Sequence, residues 1–93
     1  MTLPASPSAT RIADYLRHVA LEKRLSARTQ ALYGYELERL QKLAQQMGLE
    51  PLAASSADLR TWAARLHAQG MSARSIALTL SVWRGWYAWL GLH

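Results

Sequence analysis

The residue types able to do acid–base, nucleophilic or metal chemistry are few in this chain, and they do not converge. His18, His67 and His93 stand alone, with no spacing that would bring two of them onto one metal ion. No HExxH, GxSxG or glycine-rich phosphate loop is present. The acids Asp14, Glu22, Glu36, Glu38, Glu50 and Asp58 are scattered. Glu36 and Glu38 lie two apart, which on a helix turns them about 200° from each other, so they cannot act as a carboxylate pair. They are expected to be solvated surface acids. With no cysteine there is no thiolate zinc site, no cysteine nucleophile and no disulfide framework. No catalytic residue, metal or cofactor is therefore expected. What the chain offers instead is positive charge: 11 basic residues against 6 acidic, a net charge of +5, with arginine far outnumbering lysine. Arginine is favoured where phosphate is gripped by a planar fork. The balance points to an anionic partner, nucleic acid before membrane.

The basic residues fall into two stripes. Around residues 27–47, a wheel at 100° per residue puts Arg28, Tyr35, Arg39 and Lys42 within about 60° of one another, opposite the apolar positions. Lys23 and Arg24 come just before them. The stripe reads as a solvated helix face, partly neutralised by Glu36 with Arg39 and Glu38 with Lys42, or as a nucleic-acid contact. The second stripe lies within residues 73–90: Arg74, Ala77, Ser81, Arg84 and Ala88. Small residues between two arginines let a backbone approach a partner closely, as a helix in a major groove requires. A helix buried on two sides with one wet edge reads equally well. Ser26 with Thr29, and Ser72 with Ser75, are N-capping pairs, and a capped N-terminus also suits a phosphate oxygen. Arg28 and Arg74 each follow two residues after such a cap, in position to hold the same anion.

Four amphipathic segments must position these residues. The first covers about 9–24, with Ile12, Tyr15, Leu16, Val19 and Ala20 recurring at three and four. The second covers about 27–47, with Ser26 as N-cap, Gly48 as terminator and a face of Tyr33, Leu37, Leu40, Ala44 and Met47. The third covers about 57–69, opened by the Ser55/Asp58 capping pair and closed by Gly70; its face is Leu59, Trp62, Ala63 and Leu66. The fourth covers about 73–90, with Ile76, Leu80, Trp83, Tyr87 and Leu90 on its main stripe and Leu78, Val82 and Trp89 on a second strip. No segment alternates with period two. The reading is all-α, a compact four-helix bundle over residues 10–93 behind a flexible tail at 1–9 that holds Pro4 and Pro7. The short Gly70–Ser72 connection makes the last two helices neighbours. Trp62, Trp83 and Trp86 are expected in the core, and Trp89 against the first helix or a partner.

The longest uncharged stretches in the second half, Ser75–Trp83 and Gly85–His93, are far short of the ~20 apolar residues of a membrane helix. The N-terminus lacks the basic and apolar regions of a signal peptide, so a cytoplasmic location is expected. The aromatic run at 86–89 is needed for the core of so small a domain and is not read as a membrane-surface helix.

Taken together, residues 11–92 resemble the N-terminal core-binding domain of Xer-type tyrosine recombinases. Tyr15-Leu16 carries the likeness first, then Glu22-Lys23-Arg24-Leu25-Ser26-Ala27-Arg28-Thr29, then Tyr33, Glu36-Leu37 and Leu40 at the family's spacing. The fourth segment matches best, from Ser72 and Ser75-Ile76-Ala77-Leu78 through Ser81-Val82-Trp83-Arg84 to Leu90. The resemblance implies a SAM-like bundle that clamps one side of double-stranded DNA through its second and fourth helices. It places DNA contacts at Ser26, Arg28 and Thr29 and at Ser72, Ser81 and Arg84. With the stripes, the candidate set is Lys23, Arg24, Ser26, Arg28, Thr29, Arg39, Lys42, Ser72, Arg74, Ser81 and Arg84. Thr79 stands where the family often has arginine or lysine, and Gly85 replaces a better helix former. None of Tyr15, Tyr33, Tyr35 or Tyr87 matches the family's tyrosine nucleophile, so the catalytic domain is expected to lie outside this chain. In a full-length protein, other recombinase subunits would be partners in a tetrameric synapse that resolves chromosome dimers. A phage-type integrase domain and a helical protein–protein interaction module are the alternatives.

Overall fold

The computed structural model describes residues 6–92, and every regular element in that range is helical. The order is α1 (Pro7–Glu22), α2 (Ala27–Gln46), a single 3-10 turn (Pro51–Ala53), α3 (Ser56–Ala68) and α4 (Ala73–Leu90). The expected four-helix architecture is what forms. Helix α1 begins earlier than the sequence reading placed it. Ser6 caps it by accepting from Ala9 N at 3.1 Å, and Pro7 opens it, a position where the missing N–H of proline costs nothing. Residues 6–9 are therefore part of the domain and not of a tail; the remainder of that stretch, 1–5, lies outside the described residues. Ser8 is fully buried, and its Oγ accepts from Leu52 N at 3.1 Å, joining α1 to the 3-10 turn. That turn is the one element the sequence reading did not contain.

The expected caps form. Ser26, Ser55 and Ser72 each accept from the backbone N–H three residues on, and Asp58 completes a reciprocal capping box on Ser55. Helix α2 closes on Gly48 at φ +66°, with Leu49 N returning to Ala44 O at 2.9 Å. Helix α1 ends differently: Arg24 takes the left-handed conformation, φ +49°, at a position where glycine would be unstrained.

Helix α4 is the centre of the bundle and packs against each of the other three helices. Trp62, Trp83 and Trp86 are fully buried, with Trp62 and Trp83 edge to face at 6.4 Å. Four of the buried aromatics use their polar tips to reach other elements. Trp83 Nε1 donates to Glu36 O on α2 at 2.7 Å, and Trp86 Nε1 to Arg11 O on α1 at 3.4 Å. Tyr87 Oη donates to Pro51 O of the 3-10 turn at 2.6 Å, and Trp62 Nε1 points at Met47 Sδ at 3.2 Å. Trp89 packs on α1, 5.4 Å from the Tyr15 ring and beneath the Arg11 guanidinium at 5.0 Å. On α2, Leu43 is buried, whereas Met47, expected in the core, is 46% exposed at the helix end.

Candidate nucleic-acid interface

The 11 basic residues sort into two groups by what they touch. Arg11 and Arg17 share Asp14 at 3.4 and 2.8 Å, Lys42 meets Glu38 at 3.5 Å, Arg39 meets Glu36 at 3.3 Å, and Arg65 donates to Gln46 at 3.2 Å. Lys23, Arg24, Arg28, Arg60, Arg74 and Arg84 are exposed and make no ion pair or side-chain hydrogen bond among the described residues. Charges left uncompensated at a surface are the ones available to an anionic partner. Five of these six belong to the candidate set; Arg60, on α3, does not. Its signal in the sequence was weak, a lone basic residue beside a helix face otherwise read for packing.

The other five sit where α1, α2 and α4 present their ends and edges. Lys23 and Arg24 occupy the α1–α2 turn, and Arg28 lies in the first turn of α2, beside the Ser26–Thr29 hydroxyl pair (3.0 Å). The matching Ser72–Ser75 pair, also 3.0 Å, opens α4 beside Arg74. Along α4, Arg74, Ala77, Ser81, Arg84 and Ala88 are all exposed, forming the narrow, small-residue stripe expected from the wheel. Leu78, assigned to a packed strip, is 46% exposed and borders this stripe. Contacts between α2 and α4 run in opposite order along the two helices: Glu36 meets Trp83, while Arg39 meets Thr79. The α2 N-terminus therefore lies toward the Arg84 half of α4, and Arg74 lies toward the Arg39–Lys42 end of α2.

Arg39 is placed differently from its neighbours on the wheel. Its Nη1 faces the Glu36 carboxylate, Thr79 Oγ1 at 3.4 Å and Met71 Sδ at 3.3 Å, while Nη2 donates to Tyr35 Oη at 3.0 Å. The guanidinium also lies 4.9 Å from the Tyr35 ring centre. Its side chain is 23% exposed and that of Glu36 only 6%, so Glu36 is not the solvated acid expected from the sequence. The pair bridges α2 to α4. Thr79, where the family often has a cation, is buried beneath it. Lys42 remains exposed, with Glu38 beside it.

No cluster of three or more metal-ligating side chains occurs among the described residues, and no helix there is long and apolar enough to cross a membrane. The buried phenol of Tyr87 is pushed well above the ordinary tyrosine range, first by burial and then by the Asp58 carboxylate; burial and Tyr33 raise Tyr15. Both stay protonated at neutral pH, as core groups do.

A small all-helical domain with a charged edge of this kind falls in a recognised class. Residues 12–92 match the phage integrase N-terminal SAM-like domain, and the chain belongs to that family. It is 40% identical over 90 residues to tyrosine recombinase XerC 1 of Ralstonia nicotianae, covering 95% of this chain and 27% of that protein. It is also similar to tyrosine recombinase XerC of Chromobacterium violaceum (40% over 79 residues, 85% of this chain, 25% of the relative). Against tyrosine recombinase XerC of Pseudomonas aeruginosa it is 42% identical over 77 residues, 82% of this chain and 25% of the relative. No solved structure matches it significantly. The chain thus spans about a quarter of the length of these curated relatives and corresponds to their SAM-like domain; the catalytic domain of such a recombinase is not within it.

Proposed function

We propose that this chain is the duplex-DNA-binding domain of a site-specific tyrosine recombinase of the XerC type. In this reading it grips one side of a recombination site through α2 and α4. Strand cleavage belongs to a catalytic domain elsewhere in the parent protein, other subunits complete a tetrameric synapse, and chromosome dimer resolution is the setting. The observation that supports it best is the set of unpaired cations on the α1–α2 turn, the α2 N-terminus and the small-residue stripe of α4. Lys23, Arg24, Arg28 and Arg74 are assigned to phosphate, with Ser26, Thr29 and Ser72 beside them at the helix starts. Ser81 and Arg84 are assigned to DNA contact along the exposed stripe of α4. Arg39 supports this surface from beneath, and Lys42 contributes at its edge.

The test is fluorescence-anisotropy binding to a ~30-bp duplex carrying a candidate site and to a scrambled duplex, over a range of salt. The expected result is tighter binding to the candidate site than to the scrambled duplex, weakening steeply with salt because each phosphate contact displaces condensed counterions. Arg28→Ala, Arg74→Ala and Arg84→Ala together should abolish binding while the helical circular dichroism spectrum persists. A folded domain that ignores DNA even at low salt would instead favour a protein-interaction module.

A further inference from the structure

An open groove of about 340 Å³ runs between α3 and α4, lined by Ser56, Leu59, Arg60, Arg84, Tyr87 and Ala88. Two features set it apart from the rest of the surface. It brings together two exposed arginines from different helices, neither of which has an ion-pair partner among the described residues. It also has no acid in its wall. The α3 acid, Asp58, has its carboxylate committed to the helix cap, accepting from Ser55 N at 2.8 Å and Ser55 Oγ at 3.0 Å. The Tyr87 hydroxyl is engaged with Pro51 O. By contrast, the cleft of about 200 Å³ bordered by Arg39 and Lys42 contains Glu38, so its charge is largely neutralised. Two like charges at one groove, neither in an ion pair among the described residues, repel each other, and a bound anion relieves that repulsion. Ala88 keeps the α4 wall low, and the groove is continuous with the Arg74–Ala88 stripe through Arg84.

We infer that this groove receives a phosphate of the DNA backbone, held from opposite sides by Arg60 and Arg84, so that α3 joins α2 and α4 in binding. The inference rests on the DNA-binding reading above and extends it to a helix and a residue outside the candidate set. A forked guanidinium on each wall suits a tetrahedral oxyanion, and the contact carries no base information, so it positions the domain rather than selecting the sequence.

The experiment compares the chain with its Arg60→Ala, Arg60→Glu, Arg84→Ala and Arg60→Ala/Arg84→Ala variants on the same duplex, across salt. Arg65→Ala, whose arginine is tied to Gln46 away from the groove, is the control. Expected for Arg60→Ala is a loss of affinity of roughly three- to tenfold, equal on specific and scrambled duplex, with the log–log salt slope smaller by about 0.9. Arg60→Glu should weaken binding further. The double variant should lose less than the product of the two single losses, because both arginines hold one phosphate. Arg65→Ala should bind as the parent does. If Arg60→Ala binds with unchanged affinity and slope while Arg28→Ala and Arg74→Ala are weakened, the groove assignment is overturned and the DNA reading stands. If the parent chain itself does not bind duplex, the DNA reading falls and the groove assignment falls with it.

Discussion

At the residue scale, Arg39 and Lys42 show how little charge type alone decides. They share a helix face and each has a glutamate at helical spacing. The pairings were legible in the sequence from the i,i+3 and i,i+4 intervals. Their consequences were not, because the groups that enclose Arg39, Thr79 and Met71, come from beyond α2. Arg39→Ala leaves the Glu36 carboxylate buried without its partner, and should cost about 3 kcal/mol. Lys42→Ala removes one half of an exposed pair and should cost less than about 1 kcal/mol. Urea unfolding of the two variants, with the denaturant slope unchanged, measures the contrast; equal losses would show that the Glu36–Arg39 pair is no more than a surface contact. The same enclosure gives Arg39 a positioning role, holding α2 against α4 rather than reaching outward.

At the element scale, α4 meets three conflicting demands. One side must fill the core, a narrow strip must stay small and wet, and the helix must let α1 come close. Gly85 answers the last. A Cβ at this position would lie 2.9 Å from Tyr15 Oη, nearer than real contacts allow. Tyr15 has little freedom to yield, since it is buried and packed against Trp89 and His18. On propensity alone Gly85→Ala would stabilise the helix by up to about 1 kcal/mol. Here it should destabilise the domain by about 1–2 kcal/mol through overpacking. Placed in a Tyr15→Phe background, where the oxygen is gone, the same substitution should become neutral or stabilising. Chemical denaturation of the single and double variants gives the coupling, and an unaltered effect of Gly85→Ala in the two backgrounds would refute the close-approach account.

For the whole molecule, the buried polar tips of the aromatic residues bind the helices into one unit, and Tyr87 offers a readout. Its phenol is neutral in the folded state and its pKa is raised, so the sign is fixed. Below the ordinary tyrosine pKa of 10.0, both folded and unfolded chains keep the proton, and the full stabilisation is present. As pH rises through that value, the unfolded chain loses a proton that the folded one retains, and stability falls by about 1.4 kcal/mol per pH unit for each such phenol. Tyr15 adds in the same direction. Tyr87→Phe should cost about 1–3 kcal/mol near neutral pH, since Pro51 O loses its donor. It should also make the alkaline fall shallower by one phenol's share. Unfolding measured from about pH 8 to pH 11 tests both, and an alkaline limb unchanged by the substitution would contradict the assignment.

The sequence by itself determined that four helices form, the N-caps of α2, α3 and α4, and the fully buried tryptophans. These depend on local spacing: apolar residues at three and four, serine before a helix, glycine after it. It also determined that the chain is basic and carries a small-residue stripe on α4. The tertiary structure decided which cations are free. Arg39 turns inward because α4 supplies partners for it, and Ser8 becomes a core residue because the 3-10 turn, distant in sequence, donates to it. Arg60 joins Arg84 only because α3 packs beside α4. A charge pattern on one helix fixes direction around that helix alone. Whether a given arginine faces water, a neighbour or a ligand depends on elements tens of residues away, and no periodicity within its own segment encodes them.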